Sequence, residues 1–93
     1  MHAKDRAALV TRLHRIEGQV RGIERMVEGD RYCIDILTQI SAVTTALESL
    51  ALRILDDHVR HCVAAALASG DEAEAALKTE ELLAAVQRLT RSR

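Results

Sequence analysis

The chain has no proline, no tryptophan and no phenylalanine, and Tyr32 is its only aromatic residue among 93. Without proline no helix is broken by a missing N–H or a ring clash. Without large aromatics, any core must come from Leu, Ile, Val and Ala, and such a core gains mainly by covering more area. At this length a single core is marginal, and a second copy of the chain is the nearest source of further area, so an oligomer is expected. No apolar run approaches the roughly 20 residues of a membrane span. The opening Met1-His2-Ala3-Lys4-Asp5-Arg6 lacks the apolar stretch of a signal peptide, and a cytoplasmic protein is expected. There is no glycine-rich phosphate loop, nucleophile elbow or HExxH pair, and the chain is not read as an enzyme. Only two cysteines are present, Cys33 and Cys62. In a reducing compartment they point to ligation or reactivity before a structural disulfide.

What the chain has in abundance is Ala, Leu, Arg and Glu, all strong helix formers, so the fold class is all-α. Leu9, Leu13, Ile16, Val20, Ile23 and Val27 recur at spacings of 4 and 3, predicting a first helix from about Lys4 to Val27. Gly18 and Gly22 interrupt its propensity, and close approach of a neighbouring helix is the expected reason. Gly29 suits the end of that helix and Asp30 the N-cap of the next. The stripe Ile36, Ile40, Val43, Leu47, Leu50, Ile54 predicts a second helix from about Arg31 to Ala68, about 55 Å long. Ser69-Gly70-Asp71 repeats the stop-and-cap pattern, and a third helix follows from about Glu72 to Leu89. With no linker, repeat or low-complexity segment, residues 1–93 read as a single domain of three helices.

The formal net charge of −1 argues against nucleic acid, but the charge is segregated. Met1 to Arg25 holds six basic residues (Lys4, Arg6, Arg12, Arg15, Arg21, Arg25) against three acidic ones, while Asp71 to Glu81 holds five acids and one lysine. Arg12, Arg15 and Arg25 lie away from the centre of the apolar stripe. On residue type alone, such a face is either a solvated surface or a DNA-binding one.

Cys33, His58 and Cys62 share one face of the second helix. At about 100° per residue, His58 falls about 20° to one side of Cys33 and Cys62 about 20° to the other. His58 nevertheless lies roughly 37 Å further along the axis, far beyond metal–ligand bonds of about 2.0–2.3 Å. One straight helix cannot close such a site. Two antiparallel helices crossing near Leu47 can, placing Cys33 of one copy beside His58 and Cys62 of the other, twice per dimer. Two thiolates and an imidazole without a carboxylate form a soft set that favours Cu(I), whereas Zn(II) would want a fourth ligand. By residue type the same face is also compatible with a redox pair or with buried cysteines serving as small hydrophobes. His14, His61 and His2 read as solvated or interfacial, with His2 able to add a ligand from an N-terminal arm.

Taken together, Arg6-Ala7-Ala8-Leu9, Arg12-Leu13, Arg15-Ile16-Glu17-Gly18-Gln19-Val20-Arg21-Gly22, Tyr32-Cys33-Ile34-Asp35, Gln39-Ile40-Ser41-Ala42-Val43 and His58 with Cys62 resemble the CsoR/RcnR family of metal-sensing repressors, in its copper-sensing branch. The likeness spans about residues 4 to 89. It implies a three-helix protomer, an antiparallel dimer forming a four-helix bundle, and a disc-shaped homotetramer. It implies a repressor that binds operator DNA when metal-free and releases it on binding Cu(I), governing copper efflux and handling genes. Position by position, Cys33, His58 and Cys62 match the Cu(I) ligands, and Tyr32 and Glu81 match residues that contact a ligand rather than the metal, with Glu80 the neighbouring alternative. Arg12 and its neighbours Arg15, Arg21 and Arg25 match the basic surface implicated in DNA binding. Nickel and cobalt sensors of the family carry histidine where Cys62 stands, and persulfide sensors lack the central histidine. A thiol- or persulfide-responsive repressor and a copper-buffering bundle without a DNA role are the other readings.

Overall fold

Residues 3–91 are described by the structure, a computed structural model. Helix α1 runs Ala3–Glu28 and helix α2 Cys33–His58; a five-residue π-turn, Val59–Val63, leads into the short helix α3, Ala64–Ala68. Helix α4 runs Glu72–Arg91, and no strand occurs among the described residues. The fold is all-α, three helical stretches with the second carrying a π-turn. None of the described helices is long and apolar enough to cross a membrane.

The chain divides into two compact units between Arg53 and Ile54. In the first, Leu9 and Ile16 of α1 are buried with Val43 and Leu50 of α2, and Ile23 and Ala46 pack partly buried against them. These are the residues of the period-3.6 stripes, and because position 12 touches position 49, α2 runs back along α1. In the second unit the π-turn, α3 and α4 pack on one another, with Val63 and Ala66 buried.

The first connection differs from expectation. Helix α1 ends in a Schellman arrangement: the Arg31 N–H donates to the Met26 carbonyl at 2.9 Å and the Asp30 N–H to the Val27 carbonyl at 3.2 Å. The left-handed position of that motif falls on Asp30, with φ of 52°, so Asp30 closes α1 rather than capping α2. The Tyr32 carbonyl instead accepts the first bonds of α2, from the N–H groups of Asp35 and Ile36 at 3.0 and 3.2 Å. Asp tolerates this conformation better than most residues because its short side chain can bond locally. Gly18 and Gly22 also differ: nothing lies within 4 Å of where a Cβ would stand, so the close approach expected there is not seen among the described residues.

The second connection is the expected one. Gly70 takes a φ of 77°, and the Asp71 Oδ1 accepts the N–H groups of Ala73 and Glu74 at 3.1 and 3.2 Å. Two N–H groups at the start of α4 are thereby satisfied. Asp71→Ala should destabilise the protein by about 1 kcal/mol and Asp71→Asn by much less, read as a shift of the urea midpoint at constant slope.

Candidate functional site

Cys33 is the first residue of α2, with an exposed free thiol. His58 is the last residue of α2 and half-buried, and Cys62, also an exposed free thiol, stands in the π-turn. Cys33 belongs to the first unit and the other two to the second. Neither His58 nitrogen makes a hydrogen bond or ion pair among the described residues. All three side chains therefore hold their donor atoms uncommitted.

The π-turn alters the geometry expected of the His58–Cys62 pair. The Ala64 N–H donates to the Val59 carbonyl, a bond spanning five residues instead of four. A uniform α-helix would carry Cys62 about 40° past a full turn from His58. The wider turn rotates less per residue, so Cys62 falls short of that position. Single π-turns inside helices are frequent at functional sites, and this one begins just after His58 and contains Cys62.

The acid expected beside the histidine is engaged elsewhere in the single chain. A Glu81 carboxylate oxygen lies 3.5 Å from the Lys78 ammonium, one turn away on α4, and His58 accepts and donates nothing to it. Glu80 is exposed. Tyr32, just before α2, is 68% exposed. His61 Nε2 lies 3.3 Å from Asp57, His14 is exposed, and His2 lies outside the described residues.

Among the arginines of α1, Arg15, Arg21 and Arg25 are exposed and Arg12 is half-buried. Arg12 Nη1 donates to the Ser49 hydroxyl at 3.3 Å across a groove of about 270 Å³ lined by Arg12, Arg15, Ile16, Gln19, Ala46 and Ser49. With 100° per residue, the sector of α1 running outward from this groove through Arg15, Gly22, Gly18, Arg25 and Arg21 holds no acidic residue. Glu17, Glu24 and Glu28 fall on the other edge, and Asp5 lies about 20° from Arg12 on the groove side, two turns nearer the N-terminus. Ser49 and Gln19 were not legible as site residues. Their only signal is a polar side chain at the margin of an apolar stripe, which most helices show.

Two thiols and an imidazole suit a soft ion of low coordination number, and the absence of a carboxylate from the set disfavours hard cations. A Cys–His nucleophile would need the two side chains paired and a third group orienting the base. His58 has neither relation among the described residues.

A family model of metal-sensitive transcriptional repressors matches residues 5–88. The chain is 52% identical over 90 residues to the copper-sensing transcriptional repressor CsoR of Bacillus subtilis, covering 97% of this chain and 86% of that protein. It is 60% identical over 81 residues to the copper-sensing transcriptional repressor RicR of Mycobacterium tuberculosis, covering 87% and 83%. Its structure is similar to that of the copper-sensing repressor CsoR with Cu(I) from Geobacillus thermodenitrificans, with a TM-score of 0.89, 40% identity, and 97% and 91% of the two chains covered.

Proposed function

The chain belongs to the family of metal-sensitive transcriptional repressors, and from that premise we propose that it is a Cu(I)-responsive repressor, bound to operator DNA when metal-free and released when copper arrives. The observation that carries the metal assignment is the donor set: two reduced, exposed thiols and an imidazole with both nitrogens uncommitted. The copper-sensing relatives support the same reading. Residues 1–93 act as one sensing and DNA-binding domain in the cytoplasm, without catalytic activity, and the genes controlled serve copper efflux and handling.

The working unit is an antiparallel dimer forming a four-helix bundle, paired again into a tetramer. Cys33 of one protomer lies beside His58 and Cys62 of its partner. Those three side chains would hold Cu(I), which would supply strong bonds to soft sulfur and imidazole donors from two protomers. His58 gives one ring nitrogen to the metal, which leaves the other free to donate to Tyr32 or Glu81. Such a contact fixes the ring and couples it to other elements. Glu81 can accept that bond while keeping or leaving Lys78, because a carboxylate takes several hydrogen bonds and the partly exposed pair at 3.5 Å is weak. Because Glu81 sits on α4, its contact with His58 transmits metal binding to a second helix, and the half of α1 that runs from Arg12 through Arg15 and Arg25 round to Arg21 loses its fit to DNA. The coupling is reciprocal: DNA weakens copper binding by the factor by which copper weakens DNA binding.

An operator titration tests this. One Cu(I) per protomer should lower operator affinity by about 5- to 150-fold, the range of ordinary allosteric coupling, while zinc and nickel leave it nearly unchanged. The reading fails if copper leaves the complex intact and another effector dissolves it. A response to persulfide that survives His58→Ala would identify the protein as a thiol sensor.

A further inference from the structure

The groove between α1 and α2 has the chemistry of an anion receptor. Two guanidinium groups enter it without a carboxylate partner: Arg12 bonds only the neutral Ser49 hydroxyl, at 3.3 Å, and Arg15 makes no hydrogen bond or ion pair among the described residues. The other polar groups of the lining are the Gln19 amide and the Ser49 hydroxyl, both able to donate, and no acidic residue lines it. Ile16 and Ala46 supply apolar walls, and charge interactions strengthen where water is partly excluded. Arg12 is half-buried with its charge uncompensated, a cost that a bound anion removes. Its bond to Ser49 holds the guanidinium in place before any ligand arrives, so less freedom is lost on binding.

The groove would also stay open in a dimer paired through the apolar stripes. Measured around α1 from the buried Ile16, Arg12 and Gln19 lie about 40° and 60° to one side, while Leu13 and Val20 lie about 60° and 40° to the other. Around α2 from Val43, Ala46 and Ser49 lie about 60° and 120° to one side, with Ile40 and Leu47 about 60° and 40° to the other. The exposed apolar residues Leu13, Val20, Ile40 and Leu47 thus occupy one edge of the helix pair and the groove the opposite edge. At about 270 Å³ the groove is several times the roughly 30 Å³ of a water molecule. A tetrahedral oxyanion fits with room for accompanying water.

We propose that this groove is a pocket for one tetrahedral oxyanion, shared by Arg12 and Arg15 and flanked by Ser49 and Gln19, and that in the operator complex the oxyanion is a single backbone phosphate of the DNA. The second half rests on the repressor reading; the first does not. Sharing is the testable content. Counterion release makes the logarithm of operator affinity fall with the logarithm of salt by about 0.9 per phosphate neutralised. Arg12→Gln or Arg15→Gln alone leaves one guanidinium on the phosphate and the slope nearly unchanged. The double variant should reduce the slope by about 0.9 per DNA-bound groove. A reduction of about twice that per groove shows two separate phosphates and overturns the proposal. Ser49→Ala, which removes no charge, should weaken operator binding roughly three- to tenfold at unchanged slope.

Inorganic phosphate, titrated against chloride at matched ionic strength into metal-free protein without DNA, separates the two halves. The wild type should show a rise in melting temperature that the double variant lacks. Stabilisation by phosphate together with an unaltered operator slope in the double variant would assign the pocket to a free oxyanion and overturn its operator role. No stabilisation and no slope change would overturn both halves. Failure of the wild type to bind operator would sink the repressor reading and leave the phosphate titration as the test of the pocket.

Discussion

Cys62→Ser and His58→Ala should each yield a repressor that stays on its operator in the presence of copper, with the 5- to 150-fold loss of affinity reduced to nearly none. Neither side chain is in the buried core, and neither carries a hydrogen bond among the described residues, so the fold and the metal-free DNA affinity should be preserved. Cys33→Ser should behave identically, although Cys33 stands at the opposite end of α2 from His58. A mixing experiment shows whether the donors come from two chains. In a dimer of Cys33→Ser with Cys62→Ser, one site lacks both thiols and the other keeps all three donors. Random reassortment of the two inactive variants should therefore restore roughly a quarter of the copper sites of the wild type. A site closed within one chain would regain none. Copper stoichiometry and operator release, measured on the unfolded-and-refolded mixture, decide between them.

The second large effect is expected at Leu47. It is 46% exposed in the single chain and lies on the edge shared with Leu13, Val20 and Ile40. In the proposed antiparallel dimer the spacing of Cys33, His58 and Cys62 puts the two-fold axis near it, so Leu47→Glu would bring two carboxylates together in each dimer. The desolvation of two like charges should cost on the order of several kcal/mol per dimer. Against a total stability of about 5–15 kcal/mol for a typical domain, that is enough to dissociate or unfold the protein at micromolar concentration. Sedimentation should show loss of the dimer and circular dichroism a loss of helix. A folded dimer with unchanged melting temperature would move the interface elsewhere on the chain.

The helices and their stripes were legible because each rests on local chemistry. The recurrence of Leu9, Ile16 and Ile23 specifies a face whatever it packs against, and Asp71 after Gly70 carries its own hydrogen-bond logic. Residues 30 and 59–63 were not. At Gly29-Asp30 the glycine is the residue expected to turn left-handed, but the register of the Schellman bonds places that turn one residue later, on Asp30. Whether a helix stops on its glycine or just after it depends on which carbonyls are capped, and residue type does not specify that. The π-turn has no proline or glycine to mark it, and Val59-Arg60-His61-Cys62-Val63 reads as ordinary helix. In the site, the three donors were visible as residue types on a shared face. Their uncommitted state, the engagement of Glu81 with Lys78, and the arrangement of Ser49 with Arg12 depend on side-chain geometry that spacing does not contain.

Among the described residues six hydrophobic side chains, Leu9, Ile16, Val43, Leu50, Val63 and Ala66, are buried, and no side chain is fully enclosed. In the proposed dimer, a protein that covers so little of its own apolar surface would borrow the rest from another copy, and its folded population would then follow mass action. Dilution would act on it as a denaturant. A cell that makes less of the repressor has not only fewer molecules but a smaller folded fraction of them, and open chains are what proteases remove. Repression should consequently fall more steeply than in proportion as the protein is depleted, giving abundance a threshold of its own.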